Sequence, residues 1–221
     1  MNVRDAVFAR RSIRAFKPDP IDKETLRALL ETATHAPSWA NSQPWEVFVA
    51  GGEPLKRLRE AYLAEYRRES ARRPDITPPQ GWPDAVKARI SALMKQRQDA
   101  LAADRVDPAD LKRMSESNMR FFDAPAVVYI CMDKSLSSWS LFDLGSLAQS
   151  LMLAAEERSL GTIPAVMLAA YPDLVRAELG VPDHLAIVIG IAIGHPDPDH
   201  PLNRIRTDRR PIDEVVTFKG M

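Results

Sequence analysis

Cysteine is almost missing from this chain: Cys131 is the single one among 221 residues, which excludes an intrachain disulfide and fits a reducing compartment. It lies in the apolar run from Ala126 to Met132, so a buried, unreactive thiol is expected. Excess charge of either sign is also missing. Thirty Lys and Arg balance thirty Asp and Glu, which removes the global field that would draw the protein onto nucleic acid or an anionic membrane. Any anion site must be local. No apolar run can span a bilayer, because the longest, residues 185–193, is about half of the ~20 residues required. The N-terminus leads into mixed charge with no visible signal peptide, so a soluble, cytoplasmic protein is expected.

Several chemical signatures are absent as well. No Gly-x-Gly-x-x-Gly links a strand to a helix, and there is neither a Gly-x-Ser-x-Gly elbow nor a Walker loop. His35, His184, His195 and His200 show no ligand spacing with one another or with the cysteine, and Asp197, Asp199 and His200 fall in a proline-broken turn. No metal site is expected. The chain has no internal repeat and no low-complexity tract.

What is present describes one folded domain over residues 1–221, with 45% hydrophobic and 27% charged residues. Asp22 can cap a helix carrying Leu26, Leu29, Leu30 and Ala33, which must end before Pro37. Residues 45–49 alternate as a strand does. Pro54 opens a helix with Leu55, Leu58, Tyr62 and Tyr66 on one face, and Pro74 to Pro83 reads as a surface excursion. Two helices then follow, one with Val86, Ile90, Leu93, Arg97 and Leu101 in register, the other carrying Leu111, Met114 and Phe121. Together residues 74–122 form a helical cover. A strand at 126–132 precedes a helix from Trp139 to Leu160 that is apolar around most of its circumference and therefore buried. Gly161-Thr162 reads as a turn, Ala165 to Leu168 as a short strand, Pro172 to Gly180 as a helix, and Leu185–Ile193 as a strong strand. The tail from residue 200 to 221 has no helical period and looks extended at Glu214–Phe218, so it needs a partner to lie on. Few, separated strands among many helices argue for α+β rather than a doubly wound sheet.

Two segments carry chemistry. Arg10, Arg11, Ser12 and Arg14 place three guanidiniums and a hydroxyl within five residues, a set that matches phosphate oxygens but that a solvated basic face would also supply. The loop from Ala36 to Trp45 holds Pro37, Ser38, Trp39, Asn41, Ser42 and Gln43. It can border a flat heteroaromatic ligand, or simply cap its neighbouring helix and strand.

Four motifs occur in one order: Arg-Arg-Ser-Ile-Arg-Ala-Phe, Ala-Pro-Ser-x-x-Asn-x-Gln-Pro-Trp, Gly161-Thr162 after a buried helix, and Arg209-Arg210-Pro211 with Glu214 beyond. Together they resemble the FMN-dependent nitroreductase family over about residues 4–216, with 74–120 the least familiar part. The resemblance implies a central, mainly antiparallel sheet surrounded by helices and a homodimer in which the C-terminal tail embraces the partner. It also implies a tightly bound FMN that takes electrons from NADPH or NADH and passes them, in ping-pong fashion, to a nitroaromatic or quinone-like acceptor. By position, Arg10 and Ser12 would bind the FMN phosphate, helped by Arg11, with Arg209 closing on it and Arg210 as its neighbour. Arg14 would sit by the pyrimidine and stabilise negative charge on the reduced ring. Pro37, Ser38, Trp39 and Asn41 would reach the cofactor from the other subunit. Ile163, Pro164, Ala165 and Val166 would lie against the ring, and Gln149 would approach it, although core packing also explains Gln149.

The chain departs from the family pattern in two places. Ile-Pro-Ala-Val-Met stands where many members carry an aromatic and glycines, and the Asn and Lys often found after the second helix have no counterpart. Both bear on the acceptor, so a dehalogenase, an enone reductase and an NAD(P)H oxidase of the same fold are the alternatives. A non-enzymatic polyanion-binding protein is the alternative of another class.

Overall fold

The computed structural model describes residues 1–104 and 106–221. In chain order they form α1 (Val3–Ala9), α2 (Lys23–Ala33), β1 (Glu46–Gly51), α3 (Gly52–Arg67), α4 (Asp84–Ala103), α5 (Pro108–Ser115), β2 (Ala126–Asp133), α6 (Ser138–Glu157), β3 (Gly161–Ala165), α7 (Pro172–Leu179), β4 (Leu185–Gly194) and the one-turn α8 (Pro201–Arg204). Local chemistry explains several of these boundaries. The Asp22 carboxylate accepts from the Thr25 N–H at 2.6 Å and starts α2, and Asn2 does the same for Asp5 at 2.9 Å, starting a helix that hydrophobic periodicity did not announce.

The four strands pair in the order β1-β2-β4-β3, every pair antiparallel. Central β2 is covered on both faces. Val127, Tyr129 and Cys131 point toward α3 and α7, where they meet Leu58, Tyr62 and Val175. Val128, Ile130 and Met132 point toward α2 and α6, against Leu29, Leu147 and Leu151. The β2–β4 register slips by one residue between Ile130 and Cys131. That bulge changes the parity of β4, so Leu185 and Ile187 serve the first face while Ile191 and Ile193 serve the second. Burial among these residues pushes the Cys131 thiol up to about 12, consistent with an inert group.

Gly190 marks the tightest contact of the first face. A Cβ added there would stand 2.5 Å from the Leu168 Cβ and 3.3 Å from the Tyr129 ring, and the first of these atoms is fixed to backbone. Gly190→Ala is therefore expected to destabilise the fold by about 1–3 kcal/mol through overpacking. A melting temperature equal to the parent's in a thermal scan would show that the Leu168 turn yields freely.

The structure corrects four local expectations. Gly161-Thr162 is not a turn but the start of β3, and residues 166–169 form a 3-10 turn rather than a strand. Phe121 does not continue a helix. The chain breaks after α5 and turns through Phe121, Phe122 and Asp123 with φ of 54°, 56° and 57°, burying both phenyl rings. The tail contains α8 and a 3-10 turn at Ile212–Glu214, and among the described residues Glu214–Phe218 pairs with no strand. The proline-rich excursion is tied at its root, where the Asp75 carboxylate accepts from Arg176 at 2.6 Å and from the Ile187 N–H at 2.8 Å. Beyond it α4 has no buried residue and leaves Ile90 and Met94 exposed. Among the described residues no helix is long and apolar enough to cross a membrane.

Candidate functional site

The opening basic motif is laid along the edge of the sheet. Ile13 and Phe16 are buried, the Ile13 N–H donates to the Thr162 carbonyl at 3.0 Å, and the Lys17 N–H donates to the His195 carbonyl at 2.9 Å. With Ile13 turned into the core, its neighbours Ser12 and Arg14 face outward into a cleft. Gly161 permits this approach, since a Cβ at that position would fall 2.6 Å from the Ile13 side chain. The glycine that reads as a turn signal is a clearance residue.

Asn203 secures the same segment. It is 1% exposed, accepts from the Arg14 N–H at 2.6 Å, and donates to the carbonyls of Ala15 and Asp197 at 2.8 Å each. Sequence analysis missed it, and a lone asparagine in a polar tail offers no signal that could have found it. The Arg14 guanidinium donates back to the Ser12 carbonyl at 3.1 Å. It has no carboxylate partner among the described residues. Burial first, and the Arg97 charge second, lower its pKa to about 10.

The cleft has two compartments that meet at Ser12 and Arg14. The basic one, about 650 Å³, is lined by Arg10, Arg11, Gln149, Arg206 and Arg209, among others. Arg11 carries a buried Nε with no partner among the described residues, and its pKa is lowered by burial and then by Arg206, with Glu156 offsetting part of the effect. Arg206 was not anticipated. It enters because its guanidinium donates to the Ala9 carbonyl at 3.1 Å, while its own carbonyl accepts from Gln96 of α4 at 2.9 Å. Arg209 is braced by the Thr207 hydroxyl at 3.0 Å and the Asp208 carbonyl at 3.0 Å. Arg210 does not line this compartment and instead grips Glu214, donating to its carboxylate at 3.2 Å and its carbonyl at 2.6 Å.

The second compartment, about 560 Å³, is mainly apolar. Ile163, Pro164, Ala165 and Val166 form one wall, and Leu101, Leu111 and Met114 from the helical cover form another. A phosphate-sized cluster of donors thus leads into a slot with backbone on one side and aliphatic side chains on the other, which is the donor set an FMN requires. A third recess of about 720 Å³ borders Arg14 but is ringed by Asp104, Asp123, Asp197 and Asp199, the wrong sign for a phosphate. Among the described residues no three His, Cys, Asp or Glu side chains are grouped as a metal ion would need.

The Pro37–Asn41 loop is not brought to this cleft within one chain. Pro37, Ser38 and Trp39 border a separate hollow with Trp139 and Phe142, the two indole rings meeting edge to face at 6.1 Å. Trp39, Trp139 and Phe142 are all at least two-thirds exposed there. The Trp39 N–H donates to the buried Asp143 at 3.3 Å, and Ala40 and Asn41 adopt left-handed backbone.

The chain matches the model of the nitroreductase family over residues 7–195. It is 32% identical to a nitrobenzene nitroreductase of Ectopseudomonas oleovorans over 98% of this chain and 96% of that protein. It is also 32% identical to a 4-nitrobenzoate reductase of Pseudomonas putida, over 98% and 95%. The crystal structure of the FMN-dependent nitroreductase NfnB from Mycobacterium smegmatis in complex with NADPH superposes with a TM-score of 0.89 at 32% identity, covering 98% of this chain and 97% of that one. The α+β architecture around an antiparallel sheet is the one these proteins share, and the chain belongs to the nitroreductase family.

Proposed function

We propose that the protein is an FMN-dependent NAD(P)H oxidoreductase that reduces nitroaromatic or quinone-like acceptors. The observation that carries this is the two-compartment cleft, with Arg10, Arg11, Ser12 and Arg209 at one end and the Ile163–Val166 wall at the other, joined at an Arg14 that has no carboxylate partner among the described residues. When bound, FMN would supply the two-electron chemistry, accepting from NADPH or NADH and delivering to the acceptor in ping-pong order. The chain's own residues do the holding and polarising. The three arginines and the serine bind the phosphate, Gln149 borders it, and Arg14 stabilises negative charge on the pyrimidine side of the ring. The aliphatic wall keeps water from one side of the slot.

One unit spans residues 1–221, with residues 74–122 as its cover. The exposed Trp39, Trp139 and Phe142 and a tail that is exposed from residue 206 to 221 fit a homodimer in which each Pro37–Asn41 loop completes the partner's cofactor site. A single buried thiol fits a cytoplasmic location.

The test is an absorption spectrum of the purified protein before and after anaerobic NADPH or NADH, then after a nitroaromatic. Flavin bands should bleach with the nucleotide and return with the acceptor, and the yellow species should sediment at twice the 24.7 kDa of the chain. A protein that stays colourless after incubation with FMN overturns the cofactor, and a monomeric flavoprotein overturns the shared site.

A further inference from the structure

Among the described residues Arg97 carries a charge that no carboxylate pairs with. It lies in α4 one turn after Leu93, which lines the basic compartment, and one turn before Leu101, which lines the apolar one. Residues four apart share a helix face, so this stripe is the side of α4 turned to the cleft. Gln96, next along the helix, fixes α4 to the Arg206 carbonyl.

The Arg97 Nε is shielded from solvent and, among the described residues, has no hydrogen-bond partner. Its Nη1 reaches the Met94 sulfur at 3.9 Å, a weak acceptor. No carboxylate pairs with it among the described residues, and burial lowers its pKa. Its charge acts on Arg14 as a repulsion. Two uncompensated guanidiniums in one half-buried slot are an unfavourable arrangement that an anion between or beside them would relieve.

Arg14 is already committed, with its backbone held by Asn203 and its side chain bent back on the Ser12 carbonyl. Arg97 is not. The compartment it lines also holds Leu101, Leu111 and Met114 together with Ser115, Ser117 and Asn118, a mainly apolar lining with a few polar groups. A planar guanidinium in such a lining matches an aromatic ring that carries a carboxylate, because the fork engages both oxygens.

We infer that Arg97 reads an anionic group on the electron acceptor, so that the slot prefers aromatic acids to neutral aromatics of the same shape. This rests on the FMN oxidoreductase reading of the cleft. It adds a specificity-determining residue on the helical cover, acting on acceptor binding rather than on the cofactor. The phosphates of the nicotinamide nucleotide bear the same kind of charge, and the two half-reactions separate the two sources.

The holoenzyme, Arg97→Gln and Arg97→Lys are reduced anaerobically and mixed with 4-nitrobenzoate or with its neutral isostere 4-nitrobenzamide. The ratio of kcat/KM for acid over amide should fall at least tenfold in Arg97→Gln, through KM, and recover in large part in Arg97→Lys. Benzoate, titrated as an unreactive ligand and followed by its perturbation of the flavin spectrum, should bind at least tenfold more weakly to Arg97→Gln. An unaltered acid-to-amide ratio overturns the inference. So does a loss confined to flavin reduction by NADPH or NADH, which would assign the guanidinium to the nucleotide. If neither compound reoxidises the reduced parent enzyme, the acceptor class itself is wrong, and that failure shows in the parent before any variant is compared.

Discussion

Arg14→Ala is expected to slow the bleaching of bound flavin by NADPH by roughly 100-fold, equivalent to about 2.7 kcal/mol of lost transition-state stabilisation. The size of the effect follows from the site's electrostatics. Arg14 is largely buried, has no acidic partner among the described residues, and is held at a fixed place by its backbone, so its charge acts at short range in a poorly screened environment. A cation with that placement favours whatever negative charge develops beside it. Arg14→Lys keeps the charge without the fork and should restore most of the rate, which separates an electrostatic role from a loss of packing. Stopped-flow reduction and FMN titration read the two consequences independently. Unchanged FMN affinity together with an unchanged reduction rate in Arg14→Ala would remove the residue from the mechanism.

The second large effect is expected at a residue that would touch neither cofactor nor substrate. Asn203→Ala strips the Arg14 N–H and the Asp197 carbonyl of their partner at once, and leaves the Ala15 carbonyl with the Asp197 N–H as its remaining donor at 3.1 Å. Each buried polar group left unmet costs about 1–3 kcal/mol, and with water entering the gap a total of roughly 3 kcal/mol is expected. For a chain of this length that corresponds to a fall of about 6–12 °C in melting temperature. FMN affinity should drop by more than tenfold, because the segment carrying Ser12 and Arg14 loses its floor. A variant that melts with the parent but binds FMN weakly would place Asn203 in direct contact with the ligand instead. One that matches the parent in both would show that the Ile13 and Phe16 side chains hold the segment unaided.

Legibility from sequence followed the range of the interactions involved. Asp22, Pro172 and the period of Leu26, Leu29 and Ala33 act within one or two helical turns, so α2 and α7 were visible with their starts. β2 and β4 were visible because strands covered on both faces are written as unbroken apolar runs. What failed were positions whose identity is set by a distant neighbour. Gly161 reads as a turn because glycine usually supplies backbone freedom, whereas here it makes room for Ile13, some 150 residues away in sequence. Phe121 and Phe122 adopt left-handed backbone without glycine or asparagine. Their burial against Tyr62, whose ring meets Phe121 at 4.7 Å, outweighs local preference.

The site divides in the same way. Arg10, Arg11, Ser12 and Arg14 formed a visible cluster because they are adjacent, and they do line one cleft. Arg206 and Asn203 were invisible because a single polar residue in a tail carries no pattern. Arg97 was placed on the correct helix and in the correct stripe, yet counted there only as part of the helical period. Its missing partner is a property of three-dimensional surroundings and cannot be read from spacing.

Arg14 and the amide that holds it are 189 residues apart. At typical elongation rates of about 5–20 residues per second, roughly 10–40 s separate their emergence from the ribosome. Until Asn203 is made, the basic arm has the contact of Ile13 with Thr162 but not the amide that fixes its Arg14 N–H, and Arg206 and Arg209 of the basic compartment are still to come. On the FMN reading, loading of the cofactor is therefore expected to follow synthesis of the tail. A product cut off within β4 would keep most of the sheet's apolar faces yet lack the means to capture the ligand.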